Sequence, residues 1–123
     1  MPKKKSAAVP VVNAADMVQS LSDIYLAVKR KRFAITQSGV ALQDDQRLLL
    51  DADYDAARDA YFKGLSDFVN AAEPTIAALM KQAQATATQL DGLKVEQANA
   101  GKLLDAISAL VGLAGKILAL GTL

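Results

Sequence analysis

The sequence predicts an all-α protein, because its composition favours helix and its apolar residues recur at helical spacing. Hydrophobic residues make up 52% of the chain and aromatic residues only 5%, and Ala and Leu supply most of the apolar surface. Both residues favour helix, whereas Val and Ile occur singly, which argues against a sheet. We therefore predict one helical domain over residues 13–123, built as a long antiparallel helical hairpin or an elongated three-helix bundle with coiled-coil packing.

The first twelve residues differ from the rest of the chain. They open with three consecutive lysines, and the apolar run Ala7–Val12 that follows is short and contains Pro10. A secretory signal needs a longer uninterrupted apolar stretch. We therefore predict that residues 1–12 form a flexible basic tail and that the protein is cytoplasmic.

The first helix is predicted over residues 13–37. Asn13 is a good N-cap residue, and Asp16 lies where a carboxylate favours the first turn. Gln37, Ser38 and Gly39 offer a stop. One face of the helix carries apolar residues at intervals of three, four or seven. These residues are Met17, Leu21, Ile24, Val28 and Ile35.

The second helix is predicted over residues 44–72, with Asp44 or Asp45 as its cap. A single helix running from the first segment into the second is the alternative, but the apolar stripe changes phase between Leu42 and Leu50, which favours a break. Glu73-Pro74 marks the end of this helix. Its apolar stripe comprises Leu50, Tyr54, Ala57, Tyr61, Leu65, Phe68 and Ala72.

The third helix is predicted over residues 74–120, from an apolar stripe that alternates intervals of three and four. Asp91-Gly92 has the local character of a turn, yet neither Gly92 nor Gly101 interrupts the register. A heptad pattern sustained over about six heptads indicates a coiled-coil helix, which would be roughly 70 Å long. The stripe comprises Ile76, Leu79, Ala83, Thr86, Leu90, Leu93, Gln97, Ala100, Leu104, Ile107, Val111, Ala114 and Leu118.

Such a helix would extend beyond either preceding helix, so its apolar end would need a surface outside the chain. Residues 103–123 contain only Asp105 and Lys116 as charges. A second stripe of mostly small residues would allow close helix approach. It comprises Gly101, Asp105, Ser108, Gly112, Gly115 and Ala119. The predicted partner interface comprises Leu104, Ile107, Leu110, Val111, Ala114, Ile117 and Leu118.

The charges are segregated along the chain. Residues 1–38 carry seven Lys or Arg and two Asp, residues 39–72 carry three and seven, and residues 73–123 carry four of each sign. This pattern suggests that the first two segments pair. It also supplies candidate contacts for an anionic partner, such as nucleic acid or an anionic lipid surface. The candidates are Lys3, Lys4, Lys5, Lys29, Arg30, Lys31 and Arg32.

The composition argues against an enzyme. The chain has no Cys, so it has no cysteine nucleophile. It has no His either, which removes the commonest general base near neutral pH and the commonest metal ligand. Asp51, Asp53 and Asp55 resemble the start of a calcium loop, but Ala56 and Phe62 stand where that loop needs Gly and Glu. We predict no catalytic residue, cofactor, metal site or small-molecule substrate.

Three functions remain open at this stage. The first is a non-enzymatic assembly or interaction protein, which self-associates or binds a helical partner through its apolar C-terminal helix. The alternative is a membrane-active or membrane-anchored protein that inserts residues 103–123, a length that approaches a bilayer span. The second alternative is a nucleic-acid accessory protein that uses its basic N-terminal segment.

Overall fold

The computed structural model describes residues 12–69 and 74–122, and within them the protein is all-α, as the sequence predicts. These residues form four α-helices and one 3₁₀ turn, Gln97–Asn99. The predicted tail, apart from Val12, lies outside the described residues. The helices are α1 (Ala14–Ser38), α2 (Asp44–Asp67), α3 (Pro74–Gly92) and α4 (Ala100–Gly121).

The boundaries of α1 confirm the predicted start and the predicted break. Oδ1 of Asn13 accepts a hydrogen bond from the backbone N–H of Asp16 at 2.8 Å, so Asn13 is the N-cap. Gly39 has a φ of 79°, a left-handed conformation that glycine adopts without a steric penalty. The chain therefore leaves the helix at Gly39 and does not continue into α2.

The start of α2 at Asp44 also agrees with the prediction, whereas its end does not. The backbone N–H of Gln43 donates to Oε1 of Gln46 at 2.9 Å, half of a reciprocal capping box. The helix ends at Asp67, because Phe68 has left the helical conformation with a ψ of 138°. The predicted end at residue 72 lies outside the described residues, but Phe68 and Val69 were wrongly assigned to helix.

The prediction of one helix over residues 74–120 is wrong. α3 ends at Gly92, and α4 begins at Ala100. The connection, residues 93–99, is one heptad long, so the apolar stripe keeps its phase across it. The stripe therefore could not reveal the break, and the turn character of Asp91-Gly92 was the correct signal. Because α3 and α4 are separate helices, the predicted three-helix bundle and the predicted helix of roughly 70 Å are also wrong.

Polar contacts from the first half of the chain hold this connection in place. Nζ of Lys31 donates to the backbone oxygen of Leu93 at 2.9 Å and to that of Asp91 at 3.4 Å. The side chain of Gln97 exchanges two hydrogen bonds with the backbone of Ala41, at 2.8 and 3.0 Å. The α1–α2 and α3–α4 connections therefore meet at one end of the molecule.

The four helices pack side by side, with consecutive helices running in opposite directions. Arg32 meets Asp51 near one end of α1, and Leu21 lies against Gly64 near the other, so α1 and α2 are antiparallel. α4 lies against α1, α2 and α3, whereas α2 and α3 do not touch within the described residues. α1 likewise contacts all three of the other helices, so α1 and α4 together join α2 to α3.

Candidate interaction surface

The structure places the predicted C-terminal interface inside the molecule. Five of its seven side chains are buried, and Val111 and Leu118 are half-buried against the same core. The prediction rested on an overhanging helix, but α4 folds back and the other three helices cover its apolar face. The five buried side chains are consequently absent from the surface of the folded chain. The buried five are Leu104, Ile107, Leu110, Ala114 and Ile117.

The small-residue stripe of α4, apart from Ser108, is exposed to solvent. A β-carbon at Gly101, Gly112 or Gly115 would meet no neighbouring atom within 4 Å. The segment Gln97–Gly121 is long and apolar enough to cross a membrane, with a mean hydropathy of 1.9, and 39% of its most apolar stretch is buried. α4 thus combines a large apolar face in the core with a small, weakly charged face outside.

The basic run Lys29–Arg32 reaches three different neighbours. Arg30 lies 3.8 Å from Asp91, and Lys31 holds the end of α3. Nε and Nη2 of Arg32 both donate to Oδ1 of Asp51, at 3.1 and 2.9 Å, which is the pairing of basic and acidic segments that the charge pattern suggested. Lys3, Lys4 and Lys5 lie outside the described residues. Much of the run therefore serves the fold.

Three tyrosines from two helices form a cluster beside this basic run. The ring of Tyr25 lies 5.8 Å from that of Tyr54 and 5.9 Å from that of Tyr61, measured between centroids. The guanidinium of Arg32 lies 4.6 Å from the Tyr54 centroid, and Nζ of Lys29 lies 5.8 Å from the Tyr25 centroid. These are cation–π distances. Sequence reasoning missed the cluster because its members are far apart in the chain; pairing α1 with α2 in antiparallel register would have found it.

Large apolar side chains are exposed on the same side of the molecule. We define the α1–α2 face as the five exposed residues that follow. They are Leu26 at 41% exposure, Phe33 at 65%, Leu48 at 71%, Phe62 at 54% and Leu65 at 53%. A group of exposed large apolar residues of this kind is typical of a protein interaction surface, and aromatic residues and Arg are enriched at such surfaces.

The chain matches no protein-family model, no curated protein and no solved structure.

A recess lies beside Phe33 on this face. It has a volume of about 670 Å³, and its walls combine apolar, aromatic and basic side chains. Besides Phe33, it is lined by Leu26, Lys29, Arg30, Arg32, Thr36, Gln37 and Tyr54. It is open to solvent and can receive a protruding side chain of another protein.

The acidic residues from Asp51 to Asp59 on α2 all have partners, and Asp55 and Asp59 share one. Asp51 binds Arg32, and Oδ2 of Asp53 accepts a hydrogen bond from Oγ of Ser108 at 2.6 Å. Arg58 lies 3.6 Å from Asp55 and 3.8 Å from Asp59. Across the described residues, no three acidic side chains are grouped as ligands for a metal ion. The acidic segment therefore contributes to helix packing and to the charge of the α1–α2 face.

Proposed function

We propose that this chain is a non-enzymatic helical assembly protein that self-associates through the α1–α2 face. The observation that carries the proposal is the exposure of Leu26, Phe33, Leu48, Phe62 and Leu65 on neighbouring helices. Burying apolar area contributes about 25 cal/mol per Å². Covering these side chains therefore supplies a driving force that burying the polar outer face of α3 would lack.

The proposal moves the interface from the C-terminal helix to the first two helices. In it, α4 supplies the core that holds α1 and α2 side by side. We extend the proposal to the packing, in which the heptad stripes of the four helices interlock as in a coiled coil. The interface itself then resembles one more layer of helix packing.

The test uses two adjacent leucines of α2. Leu48 belongs to the face and is 71% exposed, whereas Leu49 is 47% exposed and lies on the flank of α2 that includes Asp53 and turns to α4. Light scattering or sedimentation should give the wild-type chain a mass above 12.9 kDa. Leu48→Asp should lower that mass, and Leu49→Asp, the matched control, should not.

Two outcomes contradict the proposal. One is a wild-type chain that is monomeric at every concentration; the other is equal behaviour of the two aspartate variants. Circular dichroism on each variant checks that the helices remain, so that a lower mass reports the loss of an interface and not the loss of the fold.

A second candidate function is membrane association through α4, and the apolarity of Gln97–Gly121 favours it. The 22 residues of α4 would extend about 33 Å, against a hydrocarbon core of about 30 Å. The whole α4 helix would have to leave the core to insert. Lys102 and Asp105 near its start and Lys116 near its end leave residues 106–115 without a charge.

Flotation of the full chain with vesicles containing anionic lipid, at low and high salt, tests this candidate. Gly112 faces open space, so Gly112→Lys should fold. A lysine at the centre of an inserted helix costs about 2.5–3.5 kcal/mol, and flotation should therefore fall. Ala85→Lys, on the exposed side of α3, is the matched control. Recovery of all the wild-type protein in the lipid-free fraction would exclude the candidate.

The nucleic-acid alternative receives the least support from the geometry. Lys31 and Arg32 make contacts of 2.9 Å with the backbone oxygen of Leu93 and with Asp51 within the fold. A nucleic acid would have to compete with those contacts.

A further inference from the structure

The charges around the α1–α2 face are arranged so that a second copy complements the first. On α1, Lys29 and Arg30 lie between Leu26 and Phe33 in the sequence. On α2, Asp55 and Asp59 lie between Leu48 and Phe62. Among the charged residues between these apolar positions, the exposed ones on α1 are Lys29 and Arg30. On α2 they are Asp55 and Asp59, besides Asp51, which pairs with Arg32. The exposed charges of the two helices therefore have opposite signs.

The register of the two helices brings these charges to the same height. Arg32 contacts Asp51, and Leu21 lies against Gly64. Antiparallel pairing with those two anchors sets Lys29 level with Asp55 along the helix axes. The basic pair of α1 and the acidic pair of α2 thus flank the same central part of the face.

We infer that two copies associate face to face about a two-fold axis that places α1 of one copy on α2 of the other; this rests on the proposed function. In that arrangement, Lys29 and Arg30 of each copy meet Asp55 and Asp59 of its partner. Because a two-fold axis makes the interface isologous, each charge contact occurs twice. Phe33 and Phe62 then lie at opposite ends of the contact, and the recess beside Phe33 receives a side chain from the partner's α2.

The competing arrangement places α1 on α1 and α2 on α2. It buries the same apolar residues, but it brings Lys29 and Arg30 against their own copies and does the same for Asp55 and Asp59. Like charges across an interface are unfavourable, and complementary charges fix the orientation of partners more than they add affinity. Charge therefore selects the crossed arrangement, and the apolar residues supply its stability.

The existing ion pairs of these residues leave them free to make new ones. Arg30 and Asp91 are 3.8 Å apart, and their side chains are 62% and 54% exposed. Arg58 lies 3.6 Å or more from both Asp55 and Asp59. Long, exposed pairs of this kind contribute about 0–1 kcal/mol, so they yield readily to a partner that brings the opposite charge.

Charge reversal on one helix at a time tests the arrangement in the full-length chain. The α1 variant, Lys29→Glu with Arg30→Glu, replaces the basic pair with acidic residues. The α2 variant, Asp55→Lys with Asp59→Lys, replaces the acidic pair with basic residues. Each variant alone should self-associate at least about tenfold more weakly than wild type, as measured by sedimentation. An equimolar mixture should recover the wild-type mass, because the reversed α1 of one chain then matches the reversed α2 of the other.

The outcomes separate this inference from the proposed function. If Leu48→Asp lowers the mass but the mixture of charge-reversed variants stays dissociated, the face is an interface and the crossed arrangement is wrong. If Leu48→Asp leaves the mass of an associated wild type unchanged, the face is not the interface and both fail. Weaker association of each variant alone, followed by recovery in the mixture, supports both. An α1-on-α1 interface would also recover in the mixture, but it brings like charges together in wild type and variants alike, so variants that each associate as wild type does contradict the crossed arrangement.

Discussion

Ser108 on α4 donates a hydrogen bond to Oδ2 of Asp53 on α2, across 2.6 Å. Both side chains are half-buried, so water competes less for the contact than it would on an open surface. Hydrogen bonds to ionised acceptors are short and stronger than those between neutral groups. This contact joins α4 to α2, and α4 is the segment that we predicted as the overhanging end of one long helix.

Removing either partner should weaken the fold. We expect Ser108→Ala and Asp53→Ala each to lower the free energy of unfolding by about 1.5–3 kcal/mol, because a hydrogen bond to a charged group contributes on that scale. The double variant should lose less stability than the sum of the losses in the two single variants, since both substitutions remove the same contact. Urea unfolding of the four proteins measures the coupling, and Ser66→Ala, an exposed serine outside this contact, is the control. Strict additivity would show that the bond contributes nothing to stability.

Phe68 is wedged between two glycines from different helices. A β-carbon at Gly64 would lie 2.9 Å from Cε2 of Phe68, and one at Gly121 would lie 2.6 Å from Cε1 on the opposite edge of the ring. The backbone N–H of Val69 also donates to the carbonyl oxygen of Gly121 at 3.2 Å. The end of α2 is therefore locked to the end of α4, which explains why α2 stops at Asp67.

We expect Gly121→Ala to destabilise the protein by about 1–3 kcal/mol, the usual cost of overpacking, because the ring cannot move away from one glycine without meeting the other. Gly112→Ala, which adds its methyl group to open space on the same helix, should instead stabilise by about 0.5–1 kcal/mol. Thermal unfolding compares the two.

A Phe68→Leu background provides the control for this mechanism. With the ring removed, Gly121→Ala should cost clearly less than it does in the wild-type protein. An equal cost in both backgrounds would place the clash elsewhere, for example at Sδ of Met17, which lies 2.9 Å from the same position.

The sequence predicts those parts of the fold that depend on neighbouring residues, and it predicts the other parts less well. The stripe of α1 and its caps at Asn13 and Gly39 were read correctly, because periodicity and capping act within a few residues. The α3–α4 break was missed, because a connection one heptad long preserves the phase of the stripe. The local signal was the turn character of Asp91-Gly92, and distant contacts, such as Lys31 with Leu93 and Gln97 with Ala41, hold the connection in place.

The surface was harder to predict than the core, for a related reason. A stripe in one helix identifies which residues are apolar but not which of them a neighbour covers. Leu65 belongs to the predicted stripe of α2 and is 53% exposed, whereas Ile107 was assigned to an external partner and is fully buried. The tyrosine cluster could not be found in one segment, because Tyr25 and Tyr54 meet only after α1 and α2 pair.

Tyr25 makes stability depend on pH in the alkaline range. Its hydroxyl shares a hydrogen bond with that of Tyr54 at 3.4 Å. That bond, with burial next in importance, raises the pKa of Tyr25 above its ordinary value of 10.0, while Arg58 acts in the opposite direction. The folded protein therefore holds the proton at a pH at which the unfolded chain has lost it. Stability must fall as the pH rises through and above about 10.

Urea unfolding at about pH 9 and pH 11, on either side of the ordinary tyrosine pKa, tests this expectation. The wild-type protein should lose more stability over that interval than Tyr25→Phe, which cannot ionise at this position. The same loss in both proteins would show that ionisation of Tyr25 is not linked to folding.

Lys31 acts as a C-terminal cap for a helix that is distant in sequence. Its ammonium group donates to the carbonyl oxygens of Asp91 and Leu93, where carbonyl groups at the end of α3 lack helical partners and attract a cation. We expect Lys31→Met, which keeps the apolar stem and removes the donor, to lower stability by about 0.5–1.5 kcal/mol.

Amide hydrogen exchange should accelerate first in residues 90–99. Lys29→Met, two residues earlier, removes an ammonium group that lies over the Tyr25 ring and should leave that segment unchanged. Acceleration confined to α1, with the 90–99 segment still protected, would show that the ammonium group does not hold the end of α3.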